Sequence, residues 1–295
     1  MDAAQLTQQM INGLTLGSLY ALIAIGYTMV YGILRLINFA HGDVLMVGCY
    51  FAWFGAVQFG LPWWVALMGS MALTAALGVL IDQGAYRPLR RAPRISALIT
   101  AIGVSFFLEN LGLVVFGSRP KAFARPEIFN HIYQWGEVRV LSLSIWVPIL
   151  TAVILAGLLL FIHRTRTGMA MRALSRDLVT VQLMGIDPNR IVAATFALGS
   201  ALAAAGGVFW AMKYPQINPL MGVLPGLKAF VAAVLGGIGN VTGAMLGGLL
   251  LGMTEIMLVA LLPELAGYRD ALAFILLIAI LIFRPSGIMG QELPE

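Results

Sequence analysis

The chain has 295 residues, of which 60% are hydrophobic and 11% are charged. Soluble domains have about 45–50% apolar and about 25% charged residues, so this composition excludes a soluble enzyme, a disordered chain and a nucleic-acid-binding domain. Basic residues outnumber acidic ones by 18 to 13, an excess typical of loops on the cytoplasmic side of a membrane. The single cysteine, Cys49, excludes an intrachain disulfide. Together these observations predict a polytopic membrane protein.

Apolar stretches alternate with islands of charge along the whole chain. The stretches are continuous, whereas barrel strands alternate, so they predict an all-α bundle of about eight transmembrane helices. The first stretch follows a start without basic residues and is long enough to cross a bilayer, which predicts a retained span and not a cleaved signal. The predicted spans are about 11–32, 44–60, 62–84, 95–116, 144–162, 190–212, 226–262 and 265–283.

The apolar pattern is interrupted near 33–43 and near 236–240. The stretch 226–262 is too long for one span and contains the cluster Gly236, Gly237 and Gly239. It predicts a broken helix, a re-entrant hairpin or two short helices, which membrane proteins tolerate only where protein or a cavity surrounds the backbone. The run 37–42 parallels the run 236–240 because each precedes a span. This parallel predicts an internal repeat, and paired interruptions of this kind mark transport sites.

Two islands of arginine predict the orientation of the bundle. By the positive-inside rule both islands face the cytoplasm, and two predicted spans separate them, so the parity agrees. The intervening loop 117–142 is then external, although it also carries basic residues. The islands consist of Arg87, Arg90, Arg91 and Arg94, and of Arg164, Arg166, Arg172, Arg176 and Arg190.

Small residues recur at every fourth position in two places. Each series forms a smooth stripe along one helix face, where a second helix backbone can approach closely. Packing within one subunit is the interpretation favoured over a subunit interface. The two series are Gly48, Ala52, Ala56 and Gly60, and Gly239, Gly243 and Gly247.

The segment between the fifth and sixth spans predicts one amphipathic helix over about 168–186. Apolar residues at helical spacing lie on one side, and Arg172 and Arg176 lie on another. Gly185 suits the position just after a helix, with Pro188 following. Such a helix either lies on the membrane surface or docks into a groove of a soluble partner. The apolar residues are Met171, Leu174, Leu178 and Val181.

Polar residues inside apolar spans are candidates for a transport function because their burial in hydrocarbon is costly. Glu109 and Asn110 lie in the fourth span, and Glu255 lies in the seventh apolar stretch. A further cluster at the first interruption consists of Asn38, His41 and Asp43. These residues either line the solute path or gate, or have structural roles. In the structural alternative, Asp43 caps a helix, Asn38 binds loose backbone and Glu255 forms hydrogen bonds across the bundle.

The chain lacks the motifs of catalysis and of nucleotide binding. The three histidines, His41, His131 and His163, lie in separate islands without the spacing of metal ligands. No G-x-S-x-G nucleophile motif and no G-x-x-x-x-G-K-[ST] phosphate loop occurs. We therefore predict no catalytic, metal or cofactor site, and we expect any ATP hydrolysis to belong to another subunit.

Several segments, in this order, resemble the permease subunits of high-affinity branched-chain amino acid ABC importers. The resemblance covers most of the chain, and Asp43 stands where the family often has Glu, which keeps the carboxylate. The segments are GLTLGSLYAL (13–22), NFAHGD (38–43), AYRPLR (85–90), the amphipathic segment, GLKAFVAAVLGGIG (226–239) and RPSGI (284–288).

The resemblance implies one permease domain over 1–295 in the bacterial inner membrane. Its implied partners are a paralogous second permease, two ATP-binding subunits, a periplasmic solute-binding protein and the lipid bilayer, with no nucleic acid. ATP and Mg are then bound by the ATPase subunits, and this chain holds no cofactor. The amphipathic segment resembles the coupling helix that contacts the ATPase, through Arg172, Ala173, Leu174, Asp177, Leu178 and Gly185.

The function implied by the resemblance is ATP-driven import of leucine, isoleucine and valine. Relatives of the same importer type carry urea, short amides or other amino acids, so these substrates remain alternatives. A second alternative is a proton-coupled secondary transporter, in which Glu109 or Glu255 would carry the proton. ATP dependence and the need for a binding protein distinguish the two mechanisms.

Overall fold

The structure is a computed structural model that describes residues 2–90 and 92–290. Its helices are α1 (Ala3–Leu34), α2 (His41–Trp53), α3 (Trp63–Ile81), α4 (Arg94–Phe116), α5 (Ser142–Arg164), α6 (Arg166–Leu174), α7 (Leu178–Leu183), α8 (Pro188–Lys213), α9 (Val223–Gly236), α10 (Val241–Leu261) and α11 (Arg269–Phe283). Short strands β1 (Lys121–Ala122) and β4 (Gln216–Ile217) pair antiparallel, as do β2 (Ile132–Trp135) and β3 (Val138–Leu141). The predicted all-α class is confirmed.

Seven of the described helical segments are long and apolar enough to cross a membrane. Two shorter helices, α2 and α9, lie next to the predicted interruptions. A π-helical turn, Phe54–Gln58, extends α2, and α9 has 14 residues. The predicted stretch 226–262 is divided into α9 and α10 at the predicted interruption. The seven long segments are Ala3–Leu34, Trp63–Leu89, Ile95–Phe116, Ser142–Arg164, Pro188–Lys213, Val241–Leu261 and Pro263–Phe283.

Helix α1 forms the centre of the bundle. It is buried on all sides over most of its length and packs against α5, α8, α9 and α10. A helix that is apolar all round is suited to such a position. Helix α10 runs antiparallel to it at short distance, because a Cβ atom on Gly17 would meet the backbone of Leu249, and one on Gly248 would meet that of Ala21. These glycines therefore allow the two backbones to touch.

The two arginine islands lie at the same end of the bundle. Arg90 Nη2 binds Asp82 Oδ1 at 2.5 Å, and Arg90 Nη1 donates to Asn189 Oδ1 at 2.6 Å. The opposite end contains the loop 117–142, since β1 pairs with β4 and the backbone N–H of Arg139 donates to Gln8 Oε1 at 3.0 Å. Both arginine islands thus lie at one end and the loop 117–142 at the other, as the positive-inside prediction requires. Arg91, a member of the first island, lies outside the described residues.

Cysteine labelling tests which end faces the cytoplasm. In a Cys49→Ala background, a cysteine at exposed Arg176 should react with an impermeant thiol reagent only after cytoplasmic access is provided. A cysteine at position 91 should behave in the same way. A cysteine at exposed Asn130 should be labelled in intact cells. External labelling at position 176 would reverse the predicted orientation.

Two segments of irregular backbone re-enter the bundle from opposite ends and meet inside it. After α1, residues 35–40 turn back, so that His41 Nε2 lies 3.2 Å from the carbonyl oxygen of Ile23, eleven residues before the end of α1. From the other end, residues 218–222 lead inward to α9, where Gly222 touches the backbone of Gly42. Helices α2 and α9 therefore both begin inside the bundle, where protein surrounds the irregular backbone.

The internal repeat that the structure contains differs from the predicted parallel. Helices α1, α2 and α3 follow the same plan as α8, α9 and α10, namely a long helix, a re-entrant segment, a short helix, a turn and a long helix. The run 37–42 therefore corresponds to 218–222, and the prediction that it corresponds to 236–240 is wrong. The run 236–240 is the turn between α9 and α10, where Gly237 and Gly239 have φ of +109° and +97°. Glycine is required there because its missing Cβ permits positive φ.

The small-residue stripes lie between helices of this one chain. Gly48 of α2 lies against Ala204 of α8. Gly243 and Gly247 of α10 lie against Gly236 of α9. Gly60 and Gly239, predicted at the ends of the stripes, lie outside the helices in turns with positive φ.

Candidate functional site

A cavity of about 210 Å³ lies where the two re-entrant segments meet α4. Ser105, the central residue of α4, is part of its wall, so the cavity lies halfway along this spanning helix. The first turns of α2 and α9 form the facing wall. The lining residues are Tyr27, Phe39, Gly42, Asp43, Ile102, Ser105, Glu109, Gly222, Val223, Gly226 and Leu227.

One side of the cavity is acidic. Ser105 and Glu109 are one helical turn apart and lie on the same face of α4. The hydroxyl of Ser105 donates to Asp43 Oδ2 at 2.5 Å, and Asp43 is 2% exposed. Asp43 occupies the first turn of α2, after Ala40 at the N-cap, so its carboxylate also lies near the positive end of that helix. The structure therefore brings together two predicted site residues, Asp43 and Glu109, that are distant in sequence.

The rest of the cavity lining is apolar or glycine. Phe39, Ile102, Val223 and Leu227 present hydrocarbon to the space. At Gly42 and Gly226, any side chain would meet the backbone of the other helix. Close contact between the first turns of α2 and α9 thus places Val223 and Leu227 beside the acidic wall.

The other candidates from the first interruption and from α4 lie outside the cavity lining. Asn38 Oδ1 accepts a hydrogen bond of 2.8 Å from the hydroxyl of Tyr86, and His41 is buried with its ring 4.4 Å from that of Tyr27. Both connect the re-entrant segment to neighbouring helices. Asn110 is exposed and donates to the carbonyl oxygen of Phe106 on its own helix, at 2.7 Å.

Glu255 belongs to a second site, a buried ion-pair cluster that joins α9, α10 and α11. Its two carboxylate oxygens bind Lys228 Nζ and Arg269 Nε, each at 2.9 Å. The hydroxyl of Tyr20 donates to Glu255 Oε2 at 3.1 Å, and Lys228 Nζ also binds Asp270 Oδ1 at 2.6 Å. Glu255 is fully buried and Lys228 is 4% exposed. The cluster thus pairs two cations with two anions.

Sequence reasoning missed three members of this cluster, Lys228, Arg269 and Asp270. Lys228 was available as a signal, because it is the one charged residue in the apolar stretch 226–239. An ionisable residue at such a position normally pairs with another inside the bundle. Its partners come from two other helices, which the linear sequence does not reveal.

The predicted single amphipathic helix over about 168–186 is wrong, because the structure divides it into α6 and α7. Thr165 caps α6, where its hydroxyl accepts from the backbone N–H of Gly168 at 3.0 Å. Asp177 starts a new helix, since its carboxylate accepts from the backbone N–H and the hydroxyl of Thr180. An aspartate in a turn competes with the backbone for hydrogen bonds and so favours a helix start over a helix interior.

The apolar side of residues 166–186 packs on the protein itself; we name these residues the coupling segment after the coupling helix that the resemblance predicts here. Met171, Leu174 and Val181 are buried where α6 and α7 contact the ends of α5 and α8. The side chain of Leu178 lies outside the described residues. This buried side is therefore unavailable to the membrane surface or to a partner.

The opposite side of the coupling segment is exposed and mixes charge with apolar surface. Its exposed members include Arg172, Ala173, Arg176, Leu183 and Met184. Exposed apolar side chains at the basic end of a bundle are suited to contact with another protein.

Gly185 ends the coupling segment in the left-handed conformation, with φ +78°. Its N–H donates to the carbonyl of Gln182 at 3.0 Å, and that of Ile186 donates to the carbonyl of Val181 at 3.3 Å. This is the Schellman pattern that satisfies the last carbonyls of a helix. Asp187 then caps α8 through the N–H of Asn189.

A bundle of spanning helices with a cavity at mid-depth, where two re-entrant segments meet, is the architecture of a membrane transporter domain. The chain belongs to the family described as branched-chain amino acid transport system, permease component, which matches residues 9–281. It is a multi-pass permease of the inner membrane.

Curated relatives match nearly the whole chain. The high-affinity branched-chain amino acid transport system permease protein BraD of Pseudomonas aeruginosa is 46% identical, over 96% of this chain and 95% of the relative. The corresponding permease protein LivH of Escherichia coli strain K12 is 44% identical over the same shares. Among solved structures, PsaBC from Streptococcus pneumoniae in complex with Fab matches 96% of this chain and 92% of its own, at 14% identity and a TM-score of 0.48.

Proposed function

We propose that this chain is the permease subunit of a binding-protein-dependent ABC importer that carries leucine, isoleucine and valine into the cytoplasm. Its partners are a paralogous second permease, two ATP-binding subunits and a periplasmic solute-binding protein. The ATP-binding subunits hold ATP and Mg and supply the energy. This chain catalyses no reaction and binds no cofactor, in keeping with the absence of a phosphate loop from its sequence.

The observation that carries this proposal is the cavity at the meeting point of two re-entrant segments, within a chain of this family. In an alternating-access cycle, a loaded binding protein docks at the end that contains loop 117–142. The ATPases close at the basic end and move the coupling segment. Only Thr165 separates α5 from α6, and Gly168 allows no side chain against the backbone of Ile162. Movement of α6 is therefore transmitted directly to the spanning helix α5.

Reconstitution tests this function and its energy source. In proteoliposomes with both permeases and both ATPases, leucine uptake should require internal ATP and an external binding protein. A proton gradient without ATP should give no uptake. Glu109→Gln should at most lower the rate, since no carboxylate needs to titrate in an ATP-driven cycle. Gradient-driven uptake that this variant abolishes would favour a secondary transporter, and a preference for urea over leucine would change only the substrate.

A further inference from the structure

We propose that the cavity between α2, α4 and α9 is itself a binding site for the transported amino acid, which it recognises by the ammonium group and the apolar side chain. This inference rests on the proposed function and deepens it. It assigns part of the substrate selectivity to the permease, in addition to any selectivity of the binding protein.

The acidic wall lacks a cation of its own. None of the eleven lining residues is basic, yet Asp43 and Glu109 both line the space. In the part of the chain that the structure describes, the hydroxyl of Ser105 is the side-chain partner of Asp43, and no hydrogen bond or ion pair is made by Glu109. Asp43 is buried and Glu109 is partly buried, and a buried carboxylate is normally paired with a cation because desolvation of an unpaired charge is costly. A ligand ammonium group would supply that cation through charge-assisted hydrogen bonds.

The lysine next to the cavity lining does not supply the missing charge. Lys228 is the next residue after the lining residue Leu227, but its ammonium group binds Glu255 and Asp270 in the buried ion-pair cluster. The cluster already balances two cations with two anions. The carboxylates of the cavity therefore gain no cation from Lys228, which is paired elsewhere.

The apolar wall suits a branched aliphatic side chain. Ile102 of α4, Val223 and Leu227 of α9, and Phe39 supply the apolar part of the lining. Binding pockets are typically apolar with a few placed polar groups that orient the ligand. An amino acid with a hydrocarbon side chain presents both kinds of surface, whereas urea presents only the polar one.

The start of α9 suits the remaining group of the ligand, its carboxylate. Gly222 and Val223 line the cavity, so the positive end of the α9 dipole lies at its edge. Helix α9 has no acidic residue in its first turn, whereas α2 has Asp43 there. The N–H of Val223 already donates to the carbonyl of Leu220, and Pro225 has no N–H, so only the helix dipole supplements the contacts of the two walls.

Binding to the wild-type transporter tests the inference without any substitution. The complete complex of both permeases and both ATPases, purified without the binding protein, should bind radiolabelled leucine saturably in equilibrium dialysis. The strength of competition should depend on whether the competing compound carries the ammonium group and the carboxylate. 3-Methylbutylamine, which lacks the carboxylate, should compete about tenfold more weakly than leucine, and 4-methylpentanoate, which lacks the ammonium group, about a hundredfold more weakly.

Matched substitutions then locate the site. Glu109→Gln should weaken leucine binding about tenfold, whereas Glu264→Gln, at an exposed position outside the cavity, should leave it unchanged. Val223→Trp should fill the cavity and abolish binding. Leu224→Trp, at the next position along α9 but outside the lining, should preserve it. Gel filtration of each complex establishes that the variants assemble.

The outcomes separate this inference from the proposed function. If the wild-type complex takes up leucine with ATP and the binding protein, but shows no saturable binding of its own or the three compounds compete equally, the inference is wrong while the function stands. If uptake itself fails, the proposed function is wrong. If Val223→Trp fails to assemble, the competition series on the wild-type complex still decides.

Discussion

Substitution Glu255→Gln should destabilise the permease by about 3–5 kcal/mol, the cost of breaking a buried ion pair by removing one partner. Glu255 is fully buried and binds Lys228 and Arg269, so its neutralisation removes the carboxylate partner of Arg269 and leaves Lys228 with the largely exposed Asp270. We expect a lower midpoint of thermal unfolding for the purified complex and less permease in the membrane. Complexes that do assemble should still transport leucine at a reduced rate.

Two further substitutions in the cluster serve as graded controls. Asp270 is 56% exposed on its side chain, so Asp270→Asn should cost only about 1 kcal/mol or less, as at other solvent-exposed pairs. Lys228→Met should have an intermediate effect because Glu255 keeps Arg269 as a partner. Equal destabilisation by Glu255→Gln and Asp270→Asn would contradict the assignment of Glu255 as the centre of the cluster.

Substitution Gly185→Val should abolish uptake while the permease remains in the membrane. A β-branched residue fits the left-handed conformation at φ +78° badly, at a cost of about 1–3 kcal/mol, and the two hydrogen bonds that end α7 would be lost. The adjacent exposed residues Leu183 and Met184 would then change position. The measurements are leucine uptake, recovery of the ATPase subunits with the permease, and stimulation of ATP hydrolysis by the loaded binding protein.

Controls separate a local effect on the coupling segment from a general loss of folding. Gly185→Asn should retain most activity because asparagine tolerates the left-handed conformation. Asp177→Lys should resemble Gly185→Val, since it removes the carboxylate that binds Thr180 at the start of α7. Normal transport and normal assembly in both Gly185→Val and Asp177→Lys would show that this segment does not couple the permease to the ATPases.

The local features of the coupling segment show how far prediction from sequence extends. The role of Gly185 as a helix terminator follows from residue type and spacing, and the structure has it. The division into α6 and α7 was missed because Asp177 satisfies both a helical pattern and a cap position, and pattern alone does not choose between them. Burial of Met171, Leu174 and Val181 against the bundle was also unforeseen, because an amphipathic pattern does not name its apolar partner.

In the candidate site, too, the sequence indicated individual residues but did not reveal their contacts. Asp43 and Glu109 were each suspect because a carboxylate in an apolar span is costly. Their common cavity depends on two re-entrant segments that meet through Gly42 and Gly222. Lys228 was passed over because its partners Glu255 and Asp270 lie on other helices.

By itself, the sequence of this protein determines the membrane class, the places of most spanning helices and the family. The physical reason is that hydrocarbon requires long apolar segments with internal backbone hydrogen bonds, and this requirement acts on each segment alone. Tertiary structure alone decides that α2 and α9 begin inside the bundle, that Asp43 and Glu109 share a cavity, and that Glu255 is neutralised by Lys228 and Arg269. Those results depend on contacts between segments distant in sequence, where the partner of a buried charge is set by helix packing.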